Sequence, residues 1–347
     1  MSVAQVTNHV RPRSVGEHGT VRVMTPPTCR RNPTTLEVSH LRKSFGDILA
    51  VDDLSFRVEA GEIFGLVGPN GAGKSTTMTI LAGVRRPDSG TVTIAGHSAG
   101  RRNKAVQMML GVVPQDLAVY ADLTARENLS FFGGIYGVGG VTLERRIGRV
   151  LAQVGLEAHA NRPVRVFSGG MKRRLNIGVA LIHDPRFVIF DEPTVGIDPQ
   201  SRSHILDCVR QLSAEGAGVI YASHYMEEVE AVCQRVAIID RGRMLAQGTL
   251  DELIDESRTE LSVRVAATEV ALQPRLLGLA DVMAAGGSES RAVIRSDRNS
   301  SPAAATRRLA RVLDVLAGGG FEVLSVDIHK QNLERLFLEL TGRKLRD

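Results

Sequence analysis

The sequence contains no tryptophan, and aromatic residues make up only 4% of its 347 positions. Proteins that bind single-stranded nucleic acid without sequence preference stack the bases on exposed aromatic rings. So few rings argue against a protein of that class. The apolar fraction of 43% is nevertheless ordinary for a soluble, globular α/β protein.

Cysteine is also scarce. The three cysteines, Cys29, Cys208 and Cys233, lie far apart, with no C-x-x-C pair and no histidine cluster nearby. This spacing suggests neither a disulfide framework nor a zinc site, so it fits a reducing compartment.

Long apolar runs are missing as well. No run approaches the roughly 18 residues that a membrane-spanning helix needs, and the N-terminal region lacks the apolar stretch of a secretory signal. If this protein moves something across a membrane, another chain is expected to span it.

The formal net charge of +5 is unevenly distributed. Residues 1–34 hold five arginines and one glutamate, a net charge of +4, so the remainder is nearly neutral. A nucleic-acid-binding domain would concentrate its basic residues on the folded part, so a nucleic-acid partner is not expected. Because the first 34 residues show no sustained periodicity, they are predicted to be a disordered leader.

From residue 36 onwards, the apolar pattern predicts alternating strands and helices. Leu36–Ser39 and Leu54–Val58 are expected to form antiparallel strands, and Ile63–Val67 is an apolar strand that leads directly into a glycine-rich loop. Strands and helices alternate again after residue 187, which favours an α/β fold with a mostly parallel sheet.

Two domains are predicted to follow the leader, the first of them with a helical subdomain inside it. Residues 35–255 form the main domain, and a helical subdomain occupies about 117–183, where Thr124 and Glu127 have the spacing of a capping box. Residues 256–347 form a small α+β domain, because two strand-like segments there are followed by an amphipathic helix, a strand and a last helix.

The first functional motif follows the strand that ends at Val67. Its pattern is G-x-x-x-x-G-K-[ST], in which backbone N–H groups surround phosphate oxygens at the start of a helix. Lys74 is expected to meet the β and γ phosphates and Ser75 to bind Mg²⁺. The expected nucleotide-binding residues of this loop are Gly68, Pro69, Asn70, Gly71, Ala72, Gly73, Lys74, Ser75 and Thr76.

Two acidic residues end another apolar strand, at Asp191 and Glu192. Asp191 is placed to hold the Mg²⁺, and Glu192 is placed to polarise the attacking water. His224 follows the strand 218–222 and is a candidate γ-phosphate contact. Together with the loop, these residues predict a nucleoside triphosphatase.

A second phosphate-binding helix terminus is predicted at Ser168, Gly169 and Gly170, because glycine N–H groups and the positive end of a helix dipole meet there. A single active site does not need two such termini. The order of loop, glutamine, Ser-Gly-Gly, Asp-Glu and His resembles that of the ABC ATPases, in which the Ser-Gly-Gly helix completes the site of a partner subunit.

The resemblance covers about residues 36–250 and implies a P-loop NTPase fold of the ABC type, working as a homodimer with ATP and Mg²⁺. It implies that Phe45 stacks on adenine and that Gln115 touches the metal and the lytic water and relays the nucleotide state to a transmembrane partner. It also implies that Asp198 lies in the loop that signals to the opposite site. Phe167 and Met171 stand where leucine and glutamine are commoner, but neither change removes the Ser168 hydroxyl or the glycine N–H groups.

The segments Leu333–Arg343 and Ser168–Arg174 resemble motifs of ATPases that serve ABC-2 type exporters. This resemblance implies a peripheral ATPase at the cytoplasmic face of the membrane. It would power export of a drug, lipid or oligosaccharide through a separate ABC-2 type permease.

The sequence leaves two alternative functions open. A soluble ABC ATPase that acts on ribosomes or DNA is disfavoured because the chain has one cassette and no heptad insertion. A regulatory subunit that binds ATP without hydrolysing it is disfavoured because Glu192 and His224 are both present.

Overall fold

The computed structural model describes residues 35–99, 103–254, 259–295, 302–330 and 332–342. The leader predicted at 1–34 lies outside these residues. Within them, no helix combines the length and the apolar character needed to cross a bilayer.

The first third of the described chain is rich in strands. Its elements are β1 Thr35–Phe45, β2 Ile48–Glu59, β3 Ile63–Val67, α1 Lys74–Leu81, β4 Ser89–Ile94, β5 His97–Ser98, α2 Lys104–Met109 and β6 Leu110–Val113.

A mainly helical region follows, and strands and helices alternate after it. These elements are α3 Ala125–Ile135, α4 Gly140–Gln153, α5 Gly169–Leu181, β7 Phe187–Asp191, α6 Pro199–Ala214, β8 Gly218–Ser223, α7 Met226–Val232, β9 Arg235–Asp240, β10 Arg243–Thr249 and α8 Leu250–Leu253.

The remaining elements include the strands of a third sheet. They are β11 Thr259–Val265, α9 Glu269–Leu276, β12 Asp281–Gly286, β13 Glu289–Arg295, α10 Pro302–Gly318, β14 Val323–Lys330 and α11 Leu333–Thr341.

A six-stranded sheet of order β10-β9-β3-β8-β7-β6 carries the main core, and all its strands except β10 run parallel. Its central strands β3, β7 and β8 are buried at every position, as expected for strands covered on both faces. One face packs on the helical region and the other on the antiparallel sheet β2-β1-β4-β5. The predicted α/β fold, with a mostly parallel sheet, an antiparallel sheet and a helical region, is confirmed.

The third sheet, of order β12-β13-β11-β14, is antiparallel and has its own apolar core with helices α9 and α10. Helix α11 does not belong to that core. Leu333 and Phe337 on α11 are at most 1% exposed and pack into the main core beside α7. The backbone N–H of Leu333 donates a hydrogen bond of 2.6 Å to the Glu230 carboxylate, which joins α11 to the end of α7.

The helical region begins with a well-formed cap. Thr124 accepts a hydrogen bond from the backbone N–H of Glu127, and the Glu127 carboxylate accepts one from the N–H of Thr124. This reciprocal pair satisfies two N–H groups that a helix start leaves free. The capping box predicted from the sequence is confirmed.

Candidate nucleotide-hydrolysis site

Four parallel strands bring the predicted catalytic residues to one edge of the central sheet. Strands β3, β8, β7 and β6 are neighbours in that order and point the same way. The loop at 68–73 follows β3, His224 follows β8, Glu192 follows β7 and Gln115 follows β6. Ligands of open parallel sheets bind at this carboxyl edge, so the sheet places these residues where chemistry is expected.

The loop at 68–73 depends on glycine. Gly71 and Gly73 have φ angles of 82° and 105°, in the left-handed region that glycine adopts without strain. A side chain at Gly73 would also collide with the carbonyl oxygen of Ala50. Gly73 caps α1 without a side-chain hydrogen bond, so the N–H groups of the first turn have no intrahelical acceptor. Such a terminus is suited to bind phosphate oxygens.

Lys74 lies across the inside of this loop and is 4% exposed. Its ammonium donates hydrogen bonds to the carbonyl oxygens of Gly68, at 2.8 Å, and Pro69, at 3.1 Å. It also lies 3.1 Å from Oε1 of Glu192. A phosphate group that enters the loop therefore competes with Glu192 for the Lys74 charge.

Ser75 and Asp191 place two oxygen atoms together beside the loop. The Ser75 hydroxyl donates to Oδ1 of Asp191 across 3.2 Å. Burial raises the pKa of Asp191, and the hydrogen bond from Ser75 opposes that shift. Hard divalent cations prefer hydroxyl and carboxylate oxygens, so this pair fits a Mg²⁺ ion.

Glu192 stands at the centre of the site and is 6% exposed. Its Oε2 lies 3.1 Å from Nδ1 of His224, although the two atoms are not aligned as a hydrogen bond. Its backbone φ of 48° is left-handed, a conformation that costs a non-glycine residue on the order of 1–3 kcal/mol. Its N–H donates to the carbonyl oxygen of Ala222 at 3.0 Å, which ties this turn to β8.

The Ser168 terminus is directed to solvent. Ser168 and Gly169 are exposed, and the Ser168 hydroxyl accepts a hydrogen bond of 3.2 Å from the N–H of Met171. Gly170 is buried, and a side chain there would collide with Ser201 at the start of α6. The second glycine is thus required for packing, and Ser168 and the first glycine remain accessible.

The remaining predicted site residues are Phe45, Gln115 and Asp198. Phe45 is 39% exposed, and the guanidinium of Arg85 lies 4.7 Å from the centre of its ring. Gln115 is exposed. Asp198 caps α6 by accepting a hydrogen bond of 2.8 Å from the N–H of Ser201, and that bond lowers the pKa of Asp198. Their predicted roles toward nucleotide stay predictions.

One residue of this site was not predicted from the sequence. Arg173, on α5, is 3% exposed and donates to the backbone carbonyl oxygens around the Gln115 and Glu192 turns. The signal was present: Gly170, Arg173 and Ile177 follow the spacing of one helix face, and all three are buried. An arginine on a buried helix face needs buried hydrogen-bond acceptors, and here these are the carbonyl oxygens of the Gln115 and Glu192 turns.

Comparison with known proteins agrees with this geometry. A family model described as ABC transporter matches residues 51–195. The linearmycin resistance ATP-binding protein LnrL of Bacillus subtilis is 43% identical over 314 residues, covering 90% of this chain and 100% of that protein. The Nod factor export ATP-binding protein I of Ralstonia nicotianae is 39% identical over 314 residues, covering 90% of this chain and 95% of that protein.

A solved structure described as the ATP binding subunit of an ABC transporter superposes with a TM-score of 0.58 at 32% identity, covering 63% of this chain and 92% of that one. The chain therefore belongs to the ABC transporter family, as one of its ATP-binding, ATP-hydrolysing subunits.

Proposed function

We propose that this protein powers an ABC-2 type exporter, and that Glu192 positions the water that attacks the γ-phosphate of ATP. The observation that carries this proposal is the position of Glu192, whose carboxylate lies 3.1 Å from both the Lys74 ammonium and the His224 ring. A carboxylate between a phosphate-binding lysine and a histidine can accept a proton from water at the point where phosphate binds.

The remaining groups of the site bind and orient ATP. Lys74 and the free N–H groups of α1 neutralise phosphate charge, and His224 contacts the γ-phosphate. Ser75 and Asp191, with Gln115, would hold Mg²⁺, which when bound neutralises charge on the β and γ phosphates. Phe45 is partly exposed and would stack its ring on adenine.

The exposed Ser168 terminus supports a homodimer in which each subunit completes the site of the other. The first turn of α5 packs against α6 through Gly170 and Ser201, while Ser168 and Gly169 face outwards. An outward-facing helix terminus with an accessible hydroxyl can close over a γ-phosphate that a second subunit carries. Two ATP molecules would then be buried between the subunits.

Export is supported by the relatives, which are named for linearmycin resistance and for Nod factor export. We infer that the membrane pathway belongs to a separate ABC-2 type permease and that this subunit is peripheral, on the cytoplasmic face. No nucleic acid is needed for this activity. The closing motif at 333–343, which resembles that of exporter ATPases, supports the same assignment.

Glu192→Gln tests the hydrolytic role. The amide keeps the size of the side chain but cannot take up a proton from water, so hydrolysis is expected to fall about 100-fold or more while ATP still binds. Gel filtration in Mg²⁺-ATP should then show a dimer that wild-type protein forms only transiently. A variant that hydrolyses ATP at the wild-type rate would contradict the role of Glu192.

The export assignment needs its own test, namely co-expression with a polytopic membrane protein encoded beside this gene. The two chains should co-purify from detergent, and Mg²⁺-ATPase activity should depend on Glu192 in the complex. If every neighbouring membrane protein fails to bind while the purified subunit hydrolyses ATP, the exporter assignment is wrong and the ATPase assignment stands.

A further inference from the structure

We propose that Arg173 is a positioning residue of the ATPase reaction, which holds the Glu192 turn and the Gln115 loop in place from the helix that begins at Ser168. This inference rests on the proposed role of Glu192. It concerns a residue that touches neither nucleotide nor water in the proposed mechanism and acts through its neighbours.

The Arg173 guanidinium connects two loops of the active-site edge. Nη1 donates to the carbonyl oxygens of Pro114, at 2.6 Å, and Gln115, at 2.8 Å, which follow β6. Nε donates to the carbonyl oxygen of Pro193 at 2.7 Å, and Nη2 donates to that of Glu192 at 2.7 Å, both after β7. The planar fork of an arginine fixes the relative position of its acceptors, which a lysine cannot do.

The Arg173 guanidinium is a buried positive charge that is bound by neutral acceptors. Within the described part of the chain, Arg173 donates five hydrogen bonds to backbone carbonyl oxygens, the fifth to that of Asp191 at 3.4 Å, and none to a carboxylate. Burial lowers the pKa of Arg173, and the Asp191 charge opposes this shift. Burying a cation without a paired anion is costly, so an arginine used only to fill space would be a poor choice at this position.

Glu192 is the residue that most needs such support. Its left-handed backbone is strained, and strained conformations persist only where the surroundings fix them. The peptide groups on both sides of Glu192 are held, the N–H by Ala222 of β8 and the C=O by Arg173. Without Arg173 one of these two restraints is lost, and the carboxylate can move away from Lys74 and His224.

Arg173 also lies one turn into α5, whose first residues follow Ser168. The residue that holds these two turns is therefore on the helix whose N-terminus is proposed to close over the ATP of a second subunit.

The neighbouring Arg174 provides a matched control. It is half-buried and donates from Nη1 to the carbonyl oxygens of Val154 and Gly155, each at 2.8 Å, in the helical region. Its loss removes similar backbone hydrogen bonds from the same helix, at carbonyl groups outside the Gln115 and Glu192 turns. Arg173→Met, Arg173→Lys, Arg174→Met and Arg174→Lys are therefore compared in the full-length chain.

The assays are steady-state Mg²⁺-ATPase activity, Mg²⁺-ATP binding and thermal unfolding. Arg173→Met should lower kcat about 100-fold while the affinity for ATP changes less than about 3-fold, because a displacement of about 1 Å at a reacting group has an effect of that size. Arg173→Lys should recover part of the lost rate. Both Arg174 variants should keep kcat within about 3-fold of wild type.

A wild-type kcat in folded Arg173→Met overturns the proposal, as does an equal loss of kcat in the Arg173 and Arg174 variants. If Arg173→Met does not fold, Arg173→Lys decides: full activity overturns the proposal, and a reduced kcat with unchanged ATP affinity supports it. A failure of Glu192→Gln to lose activity would instead overturn the proposed function, so the two failures are distinguishable.

Discussion

The two glycines that follow Ser168 should respond differently to the same methyl group. Among the described residues, a Cβ at Gly169 has no neighbour within 4 Å, whereas a Cβ at Gly170 would lie closer to Oγ and Cβ of Ser201 than real side chains ever do. Gly170 would also bring its Cβ to 3.0 Å from Oδ2 of Asp198. The substitutions Gly169→Ala and Gly170→Ala therefore separate a role in binding from a role in packing.

The magnitudes follow from the positions of the two glycines in the helix. Both glycines belong to the first turn of α5, and neither has a positive φ. Alanine has less conformational freedom than glycine in the unfolded chain, so at each position the substitution should stabilise the folded protein by about 0.5–1 kcal/mol. At Gly170 the start of α6 must also shift, which costs about 1–3 kcal/mol. The stabilising effect of alanine is the same in both variants. The difference of about 1–3 kcal/mol between their free energies of unfolding therefore measures the steric cost at Gly170 alone.

The assays are urea unfolding and Mg²⁺-ATPase activity at a protein concentration that allows dimers. Gly169→Ala should unfold at the same or a higher urea concentration than wild type, yet lose about tenfold or more in hydrolysis, because its methyl group would stand between the helix terminus and the partner's phosphate. Gly170→Ala should unfold at a lower urea concentration than Gly169→Ala. Full activity in Gly169→Ala would refute the proposed contact with a partner's nucleotide, and equal stability would refute the packing at Gly170.

Two further predictions concern buried titratable groups. Lys74→Ala should abolish measurable hydrolysis and weaken Mg²⁺-ATP binding, since it removes the charge that meets the phosphates, and near-normal turnover would contradict that role. Burial lowers the pKa of His183 to about 4, so the neutral ring is the folded form. In the unfolded chain the pKa of His183 is about 6.5, so its contribution to the free energy of unfolding is complete above that pH. This contribution should be lost as the pH falls from about 6.5 towards about 4, which urea unfolding as a function of pH can measure. His183→Gln should flatten that pH dependence, and an unchanged slope would contradict the assignment.

The elements predicted best from the sequence were those whose pattern is local. Ile63–Val67 is a strand in the structure with the bounds predicted, because a short run with four apolar side chains in five residues, leading into a glycine loop, is typical of a buried strand. The helix start at Thr124 was predicted equally well, since a capping box needs only residues three positions apart.

The features that the sequence did not reveal depend on distant partners. The helical spacing of Arg173 with Gly170 and Ile177 can be seen in the sequence, but the carbonyl groups that accept its hydrogen bonds come from the turns after β6 and β7, which are distant along the chain. The left-handed backbone of Glu192 is likewise accompanied by hydrogen bonds with Ala222 and Arg173, which are distant from it in the sequence. Propensity is a weak guide where tertiary contacts of this kind decide the conformation.

The bounds of strands β1 and β2 were also only partly predictable from the sequence. The sequence predicted short strands at Leu36–Ser39 and Leu54–Val58, but the structure extends them to Phe45 and back to Ile48. The pairing between them is irregular after Val38, and these irregularities interrupt the apolar alternation that marks a strand in the sequence.

The packing of α11 against α7 affects the order in which the molecule can be built. Leu333 and Phe337 complete the apolar core that surrounds Val229 and Val232, yet they are synthesised about a hundred residues later. At roughly 5–20 residues per second, that gap corresponds to on the order of 5–20 seconds of translation. During this interval the helix that follows His224 lacks part of its apolar cover, and apolar surface exposed in this way is prone to non-native contacts until α11 is made.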